Sequence, residues 1–160
     1  MDHQVVFEDK NVLVFHIYSS LDNPTMLKVQ KSLYFLWAYY AGTYGSLLSK
    51  GGLDISKEDY PESLFKGNFK ALMYGPVDTD VLKKQKENFY SKDKWKGYTP
   101  KGSSEIEVMG FVNDLLGQIN AVNDFGLINR CHEDNCWKQA YENGRESYMD
   151  LETIRKEYQI

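Results

Sequence analysis

Cysteine is scarce in this chain of 160 residues: Cys131 and Cys136 are the only two, too few for the disulfide framework of a small secreted domain. Long apolar runs are missing as well, and nothing approaches the roughly 18 residues that would cross a bilayer. Met1-Asp2-His3-Gln4 lacks the basic start and apolar stretch of a secretory signal, so reduced thiols and a cytoplasmic location are expected, with no membrane partner. Internal repeats, heptads and low-complexity tracts are absent. So are a phosphate-binding glycine loop, a Gly-x-Ser-x-Gly elbow and a His-Glu-x-x-His helix. With three His in all, no catalytic constellation stands out, and neither an enzyme nor a cofactor is expected.

A metal reading would need Cys131, His132 and Cys136 plus a fourth ligand such as Asp134, whereas structural zinc sites usually show two paired clusters. Cys131 beside His132 invites a thiolate–base reading, but catalytic pairs usually meet through the fold rather than as chain neighbours. Both readings give way to ordinary thiols.

What is present is globular: 42% hydrophobic and 26% charged residues in a length typical of one domain, taken as 1–160. The net charge of −4 is unevenly placed, because residues 83–101 hold seven lysines against Glu87 and Asp93, a local +5 that leaves −9 elsewhere. Phe89, Tyr90, Trp95 and Tyr98 interleave with those lysines, a composition suited to phosphate contact and base stacking. The favoured reading is plainer, a solvated helix end and an exposed loop.

Residues 12–18 lean towards strand by propensity, though their length leaves helix open. Asp22 or Asn23 then caps a helix that Pro24 enters at its first position and Gly42 ends. Its apolar rows, Met26, Leu33, Trp37, Tyr40 and Leu27, Tyr34, Ala38, Ala41, nearly encircle it and place it centrally. Gln30 and Lys31 interrupt them. Either both face solvent, or Gln30 is buried and must hydrogen-bond backbone.

A loop over 45–61 has room for a turn of helix around 53–58. Phe69, Ala71 and Met73 alternate with Lys70, Leu72 and Tyr74 in a short strand-like piece that ends at Gly75-Pro76. Asp78 or Thr79 caps a helix to about Phe89, and 91–102 reads as a long exposed loop. Ser104 and Glu107 form a capping box for a second core helix carrying Val108, Val112, Leu115, Ile119 and Val122, with Met109 and Leu116 alongside. Asp124-Phe125-Gly126 reads as a helix stop. Asp150 caps a last helix, with Met149 and Ile154 as a hydrophobic staple.

Three of these segments, in order, resemble one family. Residues 26–35, Met-Leu-Lys-Val-Gln-Lys-Ser-Leu-Tyr-Phe, resemble the Leu-Lys-Leu-Gln-Lys-Leu-Leu-Tyr-Phe helix of the SocA-like or Panacea antitoxin domain, also called the phage-associated GepA family; Ser32 replaces a usual Leu. Residues 69–77 are similar to its Ala-Trp-x-Tyr-Gly-Pro-Val signature, with Leu72 where Trp is common. Leu127 to His132 followed by Trp137 resembles its Leu-x-x-x-Thr-His…Trp segment, with Cys131 for Thr, and the tail fits its closing helix.

The resemblance implies a helix over 12–20 and a mainly α, compact single-domain helical fold. Two central core helices and at most a short β element before the Tyr-Gly-Pro-Val turn complete the expectation. It further implies a non-enzymatic antitoxin of a toxin–antitoxin pair, often prophage-borne, that neutralises a toxin by contact. A prophage accessory protein binding another host factor, or nucleic-acid binding through 83–101, are the alternatives. Gln30, Lys31, Tyr34, Gly75, Pro76, His132 and Trp137 are its structural motif residues, and Gln30 or Lys31 is expected to brace the backbone of the 74–77 turn. Leu33, Phe35, Trp37, Val112, Leu115, Leu116 and Ile119 should be buried. The partner surface is expected at Tyr74, Asp78, Asp80, Lys83, Lys84, Tyr90, Trp95 and Tyr98, because aromatic residues are usual interface hot spots.

Overall fold

The computed structural model describes residues 5–47, 60–144 and 146–159. It is mainly helical, as expected. Helix α1 (Lys10–Ser20) opens behind strand β1 (Val5–Phe7), so residues 12–20 are helical despite their β propensity. Leu13, Val14 and Ile17 form its buried side.

Helix α2 (Met26–Gly42) is the axis of the fold, buried almost all round from Lys28 to Gly42. Its cap is Thr25, whose hydroxyl accepts from the Lys28 amide at 3.0 Å and donates to Asp124 Oδ2 at 3.0 Å. Asp22, Asn23 and Pro24 therefore precede the helix, because Thr25 can satisfy the first turn and tie it to a neighbour in one place. Gly42 does more than stop the helix: a Cβ there would lie 2.2 Å from the Tyr158 carbonyl oxygen.

Three short strands follow. β2 (Ser63–Phe65) pairs in parallel with β1, and β3 (Phe69–Leu72) forms a hairpin with β4 (Gly75–Asp78) in the register Leu72↔Gly75 to Phe69↔Asp78. The chain turns at Met73-Tyr74, so Gly75-Pro76 begins the returning strand rather than ending the first one. Gly75 has φ of +107°, a conformation that suits glycine at this corner. β content is thus wider than the one expected piece, and β5 (Ser147–Tyr148) joins the other edge of β3.

Helix α3 (Thr79–Lys86) is capped by Asp78 and ends short of Phe89, with Asn88 at φ of +55° reversing the chain. Helix α4 (Ser103–Asn120) buries Val108, Met109, Val112, Leu116 and Ile119, while Leu115 is half-buried and Val122 lies beyond its end. The two core helices are unequal, since α2 packs most heavily against β4 and helix α7 (Leu151–Tyr158), and α4 covers only one flank of α1 and α2. The capping box does not form. Glu105 accepts from the Lys101 amide at 2.8 Å and the Tyr98 hydroxyl at 2.7 Å, whereas Glu107 accepts from Tyr60.

Asp124-Phe125-Gly126 starts helix α5 (Asp124–His132) instead of stopping one, because the Asn123 side chain accepts from the Gly126 amide at 2.8 Å. Helix α6 (Asn135–Glu142) leads to β5, and Asp150 caps α7 through the Thr153 amide with Met149 and Ile154 buried beside it. The helical turn expected around 53–58 lies outside the described residues. No helix among the described residues is long and apolar enough to cross a membrane.

Candidate functional site at the Gly-Pro hairpin

Strand β4 has β3 on one side and, on the other, two polar side chains of α2. The Gln30 amide behaves like a neighbouring peptide: its Oε1 accepts from the Asp78 amide at 2.8 Å and its Nε2 donates to the Asp78 carbonyl at 3.2 Å. Two residues back on the same edge, Lys31 Nζ donates to the Pro76 carbonyl at 2.9 Å. The expected brace is present, and Gln30 is buried. An unpaired strand edge inside a core would cost the full desolvation of each group, which these two contacts prevent.

The other side of the hairpin is held by α5 and α6. Trp137 Nε1 donates to the Leu72 carbonyl at 2.8 Å, and His132 Nε2 donates to the Met73 carbonyl at 2.8 Å while its ring stacks on Trp137 with centroids 4.3 Å apart. Cys131 packs under Gly75, where a Cβ would lie 3.0 Å from the cysteine's own Cβ. The three separated motifs therefore meet at one place. Tyr34 stands deeper, its hydroxyl donating to Asp134 at 2.5 Å.

Held this way, the turn presents Met73 and Tyr74 to solvent, 55% and 59% exposed. Met26 on α2, 45% exposed, faces them across a groove of about 260 Å³ lined also by Leu27, Leu72, Val77 and Leu82, with Gln30 and Lys31 in its floor. Tyr74 was anticipated as a surface residue; Met26, Met73 and Leu82 were not. Met26 continues the apolar row of α2, and apolar spacing alone does not tell which end of such a row runs past the core. Burial, partly offset by the neighbouring Cys131, lowers Lys31 from the ordinary lysine range to about 8.

Asp78 is not a surface residue. It is fully buried, receiving Lys10 Nζ at 3.0 Å and the amides of Val81 and Asn68, and burial pushes its carboxyl up against the pull of Lys10. Asp80 is exposed and shares Lys10 at 2.9 Å.

The basic segment is also largely occupied. Tyr90 is buried, with its ring against Phe15 and Tyr18 and its hydroxyl donating to Asn11 at 2.6 Å. Trp95 stacks on Phe15 and meets His16 edge-on, and Tyr98 packs on Phe7 while donating to Glu105. Tyr90 is thus a core residue, and Trp95 and Tyr98 fold back onto the domain, because α1 and β1 offer apolar surface within reach. Lys84 lies over the Phe89 ring at 4.3 Å, and Lys83 is exposed.

A second polar cluster lies under α6. Asp134 accepts from Tyr34 and Tyr158 and pairs with Arg130 at 2.7 Å, while Cys136 Sγ lies 3.3 Å from the Tyr34 hydroxyl. Asp134, Cys136 and Glu157 offer ligand atoms within 4.8 Å of one another. The carboxylates are engaged by N–H and O–H groups, Glu157 by the amides of Asn135 and Cys136, so a cation would meet donors pointing at it. Cys131 and His132 belong to the hairpin rather than to this cluster. Burial pushes both thiols up to about 12, which keeps them protonated and poor nucleophiles. Compared with known proteins, the chain matches no family model, no curated protein and no solved structure.

Proposed function

We propose that this chain is a non-enzymatic protein-binding module, an antitoxin of the SocA-like kind, acting in the cytoplasm by direct contact with a toxin through the hairpin groove. One observation carries the reading. Met26, Met73 and Tyr74 stand exposed around an apolar groove whose backbone is braced from both sides, so the surface is presented rigidly rather than folded away. Preorganised apolar side chains lower the ordering cost of association, and Tyr and Met are enriched at such contacts. The resemblance of the three converging motifs supplies the class of partner.

Nucleic-acid binding through 83–101 is less supported, since Tyr90, Trp95 and Tyr98 stack on the protein itself. The test is co-expression with the product of the adjacent open reading frame, scored for growth rescue. Wild-type protein should rescue, and the double variant Met73→Ser, Tyr74→Ser should not, while melting normally. No growth-inhibiting neighbour, or full rescue by the double variant, rejects the reading or its surface respectively.

A further inference from the structure

Lys31 is 1% exposed, and its ammonium has three donors but one acceptor among the described residues, the Pro76 carbonyl. Among the described residues no carboxylate answers it. Lys10, by contrast, reaches Asp78 and Asp80 together. A cation without a counter-ion under an apolar floor raises the potential of the groove above it, where low dielectric leaves the field poorly screened.

On its α3 side the rim has the same sign. Leu82 lines the groove from α3, and Lys86 follows it by one helical turn on the same face, with Lys83 next to it. Both lysines are exposed and have no ion-pair partner among the described residues. Positive charge thus gathers at the groove of a chain that is otherwise acidic.

We infer that this groove takes an acidic, apolar-anchored polypeptide segment, whose apolar side chains enter between Met26, Leu82 and the Met73-Tyr74 turn while its carboxylates answer Lys31, Lys83 and Lys86. The inference rests on the docking reading above and narrows it to one chemistry of partner. A carboxylate brought near Lys31 favours its charged form, so binding takes up a proton and tightens as pH falls through about 8. Cys131, the titratable side chain acting on Lys31, is held protonated across that range.

The experiment uses the full chain labelled at its methionine methyls, with Met26 and Met73 reporting the groove and the buried Met109 and Met149 as internal controls. Two blocked peptides with the same leucines, one carrying glutamates and one lysines between them, are titrated at low salt. The glutamate peptide should move Met26 and Met73, leave Met109 and Met149 unmoved, and bind about tenfold or more tighter than the lysine peptide. Lys83→Glu with Lys86→Glu should reverse that preference. Lys31→Met should abolish the tightening between about pH 9 and about pH 7. If Lys31→Met does not fold, the exposed rim pair still decides the matter.

Equal binding of the two peptides, no groove shift at millimolar concentration, or a single-stranded RNA that moves Met26 and Met73 in preference to both peptides overturns the inference. Rescue that depends on Met73 and Tyr74 with a charge-blind groove keeps the docking reading and rejects this one. Selective glutamate binding without any rescue does the reverse.

Discussion

The hairpin groove and the basic segment start from the same raw material, aromatic or apolar side chains in polar surroundings, and end differently. At 83–101 the chain is long enough to lay Tyr90, Trp95 and Tyr98 on α1, β1 and the start of α4. At the hairpin a two-residue turn leaves Met73 and Tyr74 nothing to fold onto, and the backbone that would have to move to cover them is held at its carbonyls by Gln30, Lys31, His132 and Trp137. Exposure of an apolar side chain depends on whether its backbone is free to carry it to cover. Composition alone does not distinguish the two cases.

The contrast can be broken most severely at Asp78, which joins the two regions by capping α3 and pairing with Lys10. Asp78→Ala leaves the Asn68 and Val81 amides without their acceptor, uncaps α3 and takes from Lys10 one of its two carboxylates, and urea unfolding should show a loss of about 3–5 kcal/mol. Next comes Tyr90→Ala, which removes a buried ring and its hydroxyl contact to Asn11. It should cost about 3 kcal/mol by the same assay; a loss under about 1 kcal/mol would return Tyr90 to the surface.

Trp95→Ala with Tyr98→Ala should lower stability by about 1–2 kcal/mol, since both rings are half-buried. Partner binding should remain. An unchanged melting curve with weakened binding would place the working surface in the basic segment after all.

The Lys31 charge gives a smaller, pH-linked effect. Its folded value near 8 lies below the unfolded lysine value, so below pH 8 both states carry the proton and the burial penalty is fully present. As pH rises above 8 the folded state loses the proton first, and stability grows by about 1 kcal/mol between pH 7 and 9. Lys31→Met should lack this gain, and subtracting its pH profile from the wild type removes the opposing titration of the cysteines. Smallest of all, Met73→Ser with Tyr74→Ser should change stability by about 0.5 kcal/mol or less in calorimetry.

The elements with local signals were legible. Apolar spacing located α2 and α4, Asp78 and Asp150 were readable caps, and the Gln30–Lys31 interruption of an apolar row pointed to a buried backbone contact that the structure contains. Ser104 and Glu107 misled because a capping box is only one use for a glutamate: Tyr60 claimed Glu107, and the adjacent Glu105 closed the preceding loop instead. Residues 124–126 misled in a similar way, since an Asn one position earlier turned a stop into a start.

By itself the sequence determined where α2, α3, α4 and α7 form, because periodicity and capping act within a few residues of the chain. Only the tertiary structure decided what the polar exceptions do. Lys31 meets Pro76 across 45 positions, Trp137 meets Leu72 across 65 and Tyr34 meets Asp134 across 100. A side chain's charge, exposure and partner at such separations follow from how the helices close around the hairpin, a packing outcome that no window of local sequence contains.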